Sequence, residues 1–460
     1  MKNDYMTSDS LPLEGIRVVD LSRVFAMPYV GAHLADMGAE VIKVDTHHAA
    51  FVDTTRTLTG PYPDNVPGED YWNRAGTFQT LNRGKESVTL DLRSERGMEL
   101  LLDLIGISDI VLENFTPRVT RRFGLDYPHL KSVRPDLVLV SNTGYGHTGP
   151  WSDFGAMASA LEPTHAAGAF MGYLERDENG RLVSSETPNK IGNSYTDFLA
   201  CWSAQVAILA ALYRRALSGQ GVWIDLAMYQ TGVSYFGAGL LDFAFNGRRS
   251  RRIGNRHEFM SPHGCYPCQG EDSWVVIAAR DDEDWRSFCS AIGKPALVAD
   301  PRFRDQLNRH RHQDSLDELI TEWTIDRTQE SVVAILNDAG IPAAPVLEAG
   351  QLLGDPHLRQ RGLFEEVEHP EESGLGKREY LGRGWRLSES NPRIQGPAPD
   401  LGRDNEKVLV NLVGIQEEEL ETLKDNEVIG NRLLPTAAPN VVPLARQKEL
   451  GWIADFRQDY

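Results

Sequence analysis

Along the first half of the chain, short runs of consecutive apolar residues alternate with stretches in which apolar positions recur every three or four residues. Ile16-Arg17-Val18-Val19-Asp20-Leu21 reads as a buried strand and Tyr29 to Met37 as a helix. Gly38 and Ala39 turn the chain into a second strand, Val41 to Val44. Ser87 to Leu90 gives a third, and Glu95 to Ile105 a helix with apolar residues at helical spacing. Asp109 to Leu112 and Leu137 to Val140 are two further apolar strands. Strands alternating with helices of this length imply βαβ units and a parallel sheet. Ligands of such sheets bind beyond the carboxyl ends of the strands. Two loops stand there: Glu113-Asn114-Phe115-Thr116-Pro117 and Ser141-Asn142-Thr143-Gly144-Tyr145-Gly146.

The pattern next predicts one long helix, Ser194 to Leu217. Ser194 or Thr196 can cap it, Asp197 falls in its first turn, and Gly219 ends it. Val222 to Leu226 is a further strand. Past Tyr235 the character changes: Gly-rich and Arg-rich segments lead into a strand, Trp274 to Ala279, and helices near Asp282 to Ile292 and Asp314 to Trp323. A large α/β domain is therefore expected over 12–231 and a smaller α+β domain over 232–345. Asp300-Pro301 and Asp355-Pro356 read as helix starts with Pro in the first turn. Beyond 434, the Pro, Ala and Asn content predicts a loosely packed tail, 435–460.

Composition narrows the function classes. A chain of 460 residues exceeds one ordinary core, in keeping with two domains. Hydrophobic residues at 41% and charged residues at 25% are globular values. The formal charge of −19 argues against a nucleic-acid partner, which would need a basic face. Met1 to Ser10 lacks the apolar centre of a signal peptide, and no apolar run reaches the roughly 18 residues of a membrane span. Ala204 to Tyr213 is far shorter. Four cysteines in this length make no disulfide scaffold. A cytoplasmic protein without a membrane partner is expected.

Gly144-Tyr145-Gly146-His147-Thr148-Gly149 fits G-x-G-x-x-G after a strand. Pro150 and Trp151 follow where a dinucleotide-binding helix should open, and no acidic residue stands about 20 residues on at a strand end. A tight turn, or a loop that lets a ligand approach the backbone, fits better. Cys265-Tyr266-Pro267-Cys268, with His257 and His263, has neither zinc-ligand spacing nor the position of a redox CxxC, so no metal site is expected. Arg248-Arg249-Ser250-Arg251-Arg252 is the one dense basic run. It is either a solvated loop or a grip on phosphate or carboxylate. Asp197 alone is an ordinary partner of a helix dipole.

A series of segments changes that reading. It opens with Leu13-Glu14-Gly15-Ile16-Arg17-Val18-Val19-Asp20 and Leu34-Ala35-Asp36-Met37-Gly38-Ala39-Glu40-Val41-Ile42-Lys43-Val44. Leu81-Asn82-Arg83-Gly84-Lys85, Ser87-Val88-Thr89-Leu90-Asp91 and Val111-Leu112-Glu113-Asn114-Phe115 follow. Later come Ile208-Leu209-Ala210-Ala211-Leu212, Gly219-Gln220-Gly221, Gly340-Ile341-Pro342-Ala343-Ala344-Pro345-Val346 and Asp355-Pro356. In this order, over about residues 12 to 430, the chain resembles the family III (CaiB/BaiF) CoA-transferases. That group includes formyl-CoA and carnitine CoA-transferases and the related acyl-CoA racemases.

The resemblance implies a Rossmann-like large domain with a parallel sheet, to which residues 346–434 return, and a smaller domain between. It implies an interlocked dimer, a homodimer or a heterodimer with a related subunit. The family's catalytic Asp lies eleven residues before the Ile-Leu-Ala-Ala-Leu segment, which is Asp197 here. By resemblance it accepts CoA from an acyl-CoA such as succinyl-CoA, as an aspartyl thioester, and passes it to a carboxylic acid. Acyl-CoA is then substrate, and no tightly bound cofactor, ATP or metal is implied. A helix N-terminus would keep such a carboxylate ionised and would hold the developing oxyanion.

Family CoA contacts carry over onto Val24, Leu90, Arg93, Asn114, Phe115 and Arg122. Arg93 and Arg122 would meet phosphates, and Phe115 the adenine. On the substrate side stand Phe25, Tyr145, Gly146 and His147. Phe25 occupies the place of a glutamine in formyl-CoA transferase, and Thr46 that of an arginine. Phe154-Gly155-Ala156-Met157-Ala158-Ser159-Ala160 lacks the polar side chains usual beside the nucleophile. These departures disfavour oxalate and point to a bulkier acid. Two alternatives stay open. An acyl-CoA racemase would need an acid/base from a Gly-His-Asp segment near Gly155, where Ala156-Met157 stands and His147 is the nearby substitute. A non-catalytic partner subunit would not need Asp197.

Overall fold

The computed structural model describes residues 10–57, 60–179, 182–189, 191–192, 194–435, 439 and 441–456. Met1 to Asp9 of the polar N-terminal segment, and part of the tail, lie outside the described residues. The apolar runs become β1 (Arg17–Asp20), β2 (Glu40–Asp45), β3 (Glu86–Thr89), β4 (Ile110–Glu113) and β5 (Val138–Thr143). Helices α1 (Ala26–Asp36) and α2 (Glu95–Gly106) fall between them in sequence. A hairpin, β6 (Leu174–Arg176) with β7 (Leu182–Ser184), precedes the long helix α3 (Tyr195–Ser218) and β8 (Val222–Ala227). There follow β9 (His263–Pro267), β10 (Trp274–Ala278), β11 (Ala343–Pro345) and the pair β12 (Phe364–Glu368) and β13 (Lys377–Leu381).

The main sheet runs β3-β2-β1-β4-β5-β8, and every neighbouring pair is parallel. The order of a Rossmann-like sheet is therefore present. Chain direction across the sheet reverses between β1 and β4, which opens a crevice at their carboxyl ends. Alternation along the strands buries both faces. Val18, Val41, Ile110 and Val138 join Met27, Val30 and Leu34 of α1 and Cys201, Ala204 and Ile208 of α3. Val19, Ile42, Val88, Val111 and Leu139 join Leu100, Leu101 and Leu104 of α2, with Val408, Leu409 and Ile429 from the C-terminal part. Strands buried on both faces read as continuous apolar runs, which is why they were legible.

Helix α3 is 24 residues long and apolar enough, by length and composition, to cross a membrane. The sequence reading counted only Ala204 to Tyr213 and missed this. Its face of Thr196, Ala200, Cys201, Ala204, Gln205, Ile208 and Ala211 is packed inside the protein, as a core helix requires. The other face leaves Phe198, Trp202, Val206, Leu209, Tyr213 and Leu217 exposed.

The chain forms two compact units. One holds Met1–His165, Gly192–Gly237 and Leu358–Tyr460; the other holds Ala166–Ile191 and Ala238–His357. These limits differ from the expected ones, above all in the segment 166–191, which the sequence reading gave to the large domain. Arg252 explains the difference. Its guanidinium donates to the carbonyls of Gly168 (2.9 Å) and Ser185 (2.9 Å), and its amide to Ser184 Oγ (3.0 Å). One member of the basic run thus fastens the β6–β7 hairpin, and Arg248 pairs with Asp242 at 3.3 Å.

The second unit carries the antiparallel sheet β11-β10-β9. Its core gathers Tyr266, Val275, Ile277, Trp285, Phe288, Leu316 and Leu336. Asp355-Pro356 does start a helix, Pro356–Gln360. Asp300-Pro301 does not: the Asp300 carboxylate instead takes the amide and guanidinium of Arg302, both at 2.8 Å, and closes a turn. Cys265 and Cys268 are free, and burial pushes both thiols up. His257 Nδ1 accepts the amides of Phe259 and Met260, both at 3.1 Å. Among the described residues no three His, Cys, Asp or Glu side chains gather as metal ligands.

Candidate active site

Helix α3 starts after Ser194, whose backbone is left-handed (φ 52°) and whose side chain makes no cap. Asp197 follows in the first turn, half-buried. Helix α1 also lacks a side-chain cap, and no acid stands in its own first turn. The carboxylate that fills this role comes from the other helix: the backbone N–H of Ala26 faces Asp197 and favours its charged form. Two helix N-termini therefore converge on one carboxylate. Edge-to-face contacts of Tyr29 with Phe198 (5.8 Å) and Trp202 (6.4 Å), and of His33 with Trp202 (5.1 Å), hold the helices together.

The expectation that helix dipoles keep Asp197 strongly ionised is not met. Burial raises its pKa to about 7, the Ala26 N–H opposes this, and the nearby Glu162 charge adds to the rise. Desolvation outweighs the dipoles because the site is walled by apolar side chains: Ala26, Leu161, Ala200 and Met228 cluster here, with Tyr145 and Tyr229 against them. Beside it, a mostly apolar cavity of about 600 Å³ is lined by Phe25, Tyr29, Tyr62 and Phe198, with Arg378 and Tyr380 further round.

The loops after β1 and β4 meet at the crevice. Asn114 Oδ1 accepts the Arg23 amide (2.9 Å) and its Nδ2 donates to the Arg23 carbonyl (2.8 Å), so this side chain is a latch. The Arg23 guanidinium lies 5.5 Å from the Phe115 ring centroid. Sequence reasoning passed over Arg23, although a cation directly after the first strand of a parallel sheet was the available signal. Arg122 is exposed, 5.9 Å from the Phe123 ring. Arg93 is spent differently: its guanidinium grips Asp91 at 2.8 and 2.9 Å, so little of its charge is free. Leu90 is a core residue at 1% exposure, and its side chain cannot meet a ligand. Val24 is exposed at the crevice.

The glycine loop divides its side chains. Tyr145 joins the Asp197 wall and packs on Trp151, Phe154 and Tyr229. Gly146 adopts φ +86°, where a side chain would be strained, and its amide bonds Thr143 Oγ1 at 2.9 Å. His147 is engaged elsewhere. Its amide bonds the Asp225 carboxylate (3.1 Å), its ring meets Trp223 edge-on (5.2 Å), and Nε2 lies 3.9 Å from Glu113. Glu113 is fully buried and pushed up to about 7 by desolvation, while the Phe115 amide bonds its other oxygen at 2.8 Å. After Pro150 no dinucleotide-type helix opens; residues 150–153 form turns.

The chain and its fold are matched by known proteins. The family model for CoA-transferase family III fits residues 13–405. The chain belongs to that family. Succinyl-CoA–D-citramalate CoA-transferase of Chloroflexus aurantiacus is 32% identical over 418 residues, 91% of this chain and 98% of the relative. Succinate–glutarate CoA-transferase of Agrobacterium fabrum is 30% identical, over 88% of this chain and 96% of that one. The crystal structure of a CAIB/BAIF family protein from Brucella suis superposes with a TM-score of 0.76 at 30% identity, covering 88% of this chain and all of that one. As a family III CoA-transferase, the chain is an enzyme whose class handles CoA thioesters.

Proposed function

We propose that this enzyme moves CoA from an acyl-CoA donor, succinyl-CoA, to a carboxylic acid through a thioester on Asp197. The observation that carries the reading is the Asp197 carboxylate in the first turn of α3, facing the start of α1, which has no side-chain cap. One carboxylate oxygen attacks the thioester carbonyl, the C–S bond breaks, and CoA leaves as thiolate. The thiolate then attacks the aspartyl carbonyl of the mixed anhydride. As the S–C bond forms, electron density moves onto the aspartyl oxygen facing the Ala26 N–H, and collapse expels the donor acid as its carboxylate. The acceptor carboxylate reverses both steps. Relatives named for succinyl-CoA and succinate support the donor. The cavity beside Phe25 and Phe198 supports an acceptor with an aromatic or branched apolar body.

Incubation with acyl-CoA and hydroxylamine tests the mechanism: a hydroxamate on Asp197, found by peptide mass spectrometry, is the expected result. A transferase working without a covalent aspartyl adduct would yield none. Because only the carboxylate attacks and its pKa is about 7, adduct formation should rise about tenfold per pH unit below 7 and level off above it. Single-turnover rates between pH 5.5 and 8.5 check this.

Arg122, exposed and near the carboxyl end of β4, is the proposed phosphate partner, with Arg23 beside Phe115. A charge-assisted hydrogen bond is worth roughly 1.5–3 kcal/mol. Arg122→Ala is therefore expected to weaken CoA binding about ten- to a hundredfold and to make the residual affinity less salt-dependent. Calorimetric titration measures it, and an unchanged affinity removes the assignment. The apolar stripe Phe198, Trp202, Val206, Leu209, Tyr213 and Leu217 supports a partner chain over α3, which we take to be a second copy in an interlocked dimer.

A further inference from the structure

The chain leaves β1 through Ser22, Arg23 and Val24 before α1 begins, and each residue of this turn is tied by a side chain from elsewhere. Asp20 Oδ1 accepts the Ser22 amide at 3.0 Å, and Lys43 Nζ donates to the Ser22 carbonyl. Asn114 holds both backbone groups of Arg23. Asp53 Oδ1 accepts the Val24 amide at 3.2 Å. Asp53 is itself fixed, by the Thr55 amide (3.0 Å), Thr55 Oγ1 (2.8 Å) and the Lys43 ammonium (3.0 Å). Asp53 and Lys43 are both essentially unexposed.

The apex of the turn is strained. Val24 has φ +71°, a left-handed conformation that a β-branched residue adopts only when its surroundings impose it. Glycine would make the same bend without that strain. Two residues on, the amide of Ala26 meets Asp197. The strain and its ties therefore stand directly behind the donor that faces the reacting carboxylate.

We propose that Asp53, paired with Lys43, is a positioning residue for CoA transfer: by gripping the Val24 amide it holds the strained turn that aims Ala26 N–H at Asp197. The proposal rests on the reading of Asp197 as nucleophile. Its consequence is a division of labour. Asp53 touches neither CoA nor the acid, so its loss slows the covalent step while leaving donor binding alone.

Removing Asp53 alone would strand a buried ammonium, so two charge-neutral double variants are compared in the full-length enzyme. Lys43→Met/Asp53→Asn retains an oxygen for the Val24 amide. Lys43→Met/Asp53→Leu has none. The expected result is a kcat within about threefold of wild type for the Asn variant. For the Leu variant a loss of about 10- to 100-fold is expected, with KM for succinyl-CoA changed less than about threefold. Adding Val24→Gly to the Leu variant should recover most of the loss, because glycine reaches φ +71° without the steric strain that the tie otherwise opposes. Rates are normalised to active sites by the hydroxamate yield.

Equal kcat in the two double variants, or failure of Val24→Gly to rescue, overturns the proposal. A wild-type enzyme that yields no aspartyl adduct overturns the Asp197 reading and this inference with it. A wild-type adduct with no difference between the doubles overturns this inference alone. If the Leu variant does not accumulate as folded protein, Val24→Gly by itself decides. It should raise the melting temperature by about 1–3 °C, because glycine takes φ +71° without steric strain. A fall overturns the strained turn.

Discussion

Asp197→Ala is expected to abolish aspartyl adduct formation and to cut turnover by a factor on the order of 10⁴ or more, since the group that forms the covalent bond is gone. The same variant should remain folded, and its stability should depend on pH in a diagnostic direction. Asp197 has its pKa raised from 3.8 to about 7 in the native state. Between those values the native state holds a proton that the unfolded state releases, so stability falls as pH rises through this window. The cost is fully present above pH 7. Removing the side chain removes that cost, at the loss of the favourable interaction with the Ala26 N–H. The melting temperature of Asp197→Ala relative to wild type should therefore climb from pH 5 to pH 8. A variant whose relative stability instead fell over that range would show that the carboxylate is not desolvated. Appreciable turnover in it would remove the proposed nucleophile.

Lys85→Met is expected to destabilise the large unit by about 3–5 kcal/mol near neutral pH, read as a lowered denaturant midpoint. Lys85 Nζ donates to Asp20 Oδ2 (2.7 Å), to the Pro28 carbonyl (2.7 Å) and to Asn82 Oδ1 (2.8 Å), and both charged side chains have no exposure. Gly31 in α1 makes the room: a Cβ there would lie 3.0 Å from both Asp20 Oδ2 and Lys85 Nζ. Burial pulls the Lys85 ammonium down to about 8 despite Asp20, so desolvation outweighs the attraction of its partner. The penalty thus comes from the carboxylate left behind, not from a large net gain in the pair. Asp20→Asn added to Lys85→Met should recover most of the loss. If the double variant is no more stable than the single, the carboxylate is not what costs.

Both predictions concern the floor of the crevice, and they connect stability to chemistry. Asp20 also anchors Ser22, the first residue of the strained turn. Charges that contribute little net stability here fix backbone positions, and those positions determine where the Ala26 amide points.

How much of this was legible beforehand differs by element. The central strands β4 and β5 were marked by runs of apolar residues, because burial on both faces leaves no polar alternation to confuse, whereas β3 and β8 carry polar residues among the apolar ones. The start of α3 and the place of Asp197 in its first turn were also readable from periodicity, which acts within a few residues, although Ser194 makes no side-chain cap. The order of short segments, taken together, was enough to indicate the family. By contrast, the segment 166–191 carries no local sign that it packs with the second unit; Arg252, more than sixty residues on, decides that. Asp300-Pro301 had the signature of a helix start, and one guanidinium turned it into a bend.

At the site the sequence determined which residue types were present, and little about their state. It supplied a carboxylate at a helix start, a glycine loop and several arginines near strand ends. Only the tertiary structure decided that Leu90 is sealed in the core and that Asn114 ties two loops. It also decided that desolvation outweighs two helix N-termini at Asp197. The physical reason is range. Periodicity, caps and turn residues act between near neighbours along the chain, whereas burial, ion pairing and backbone aim are set by groups that meet only after folding.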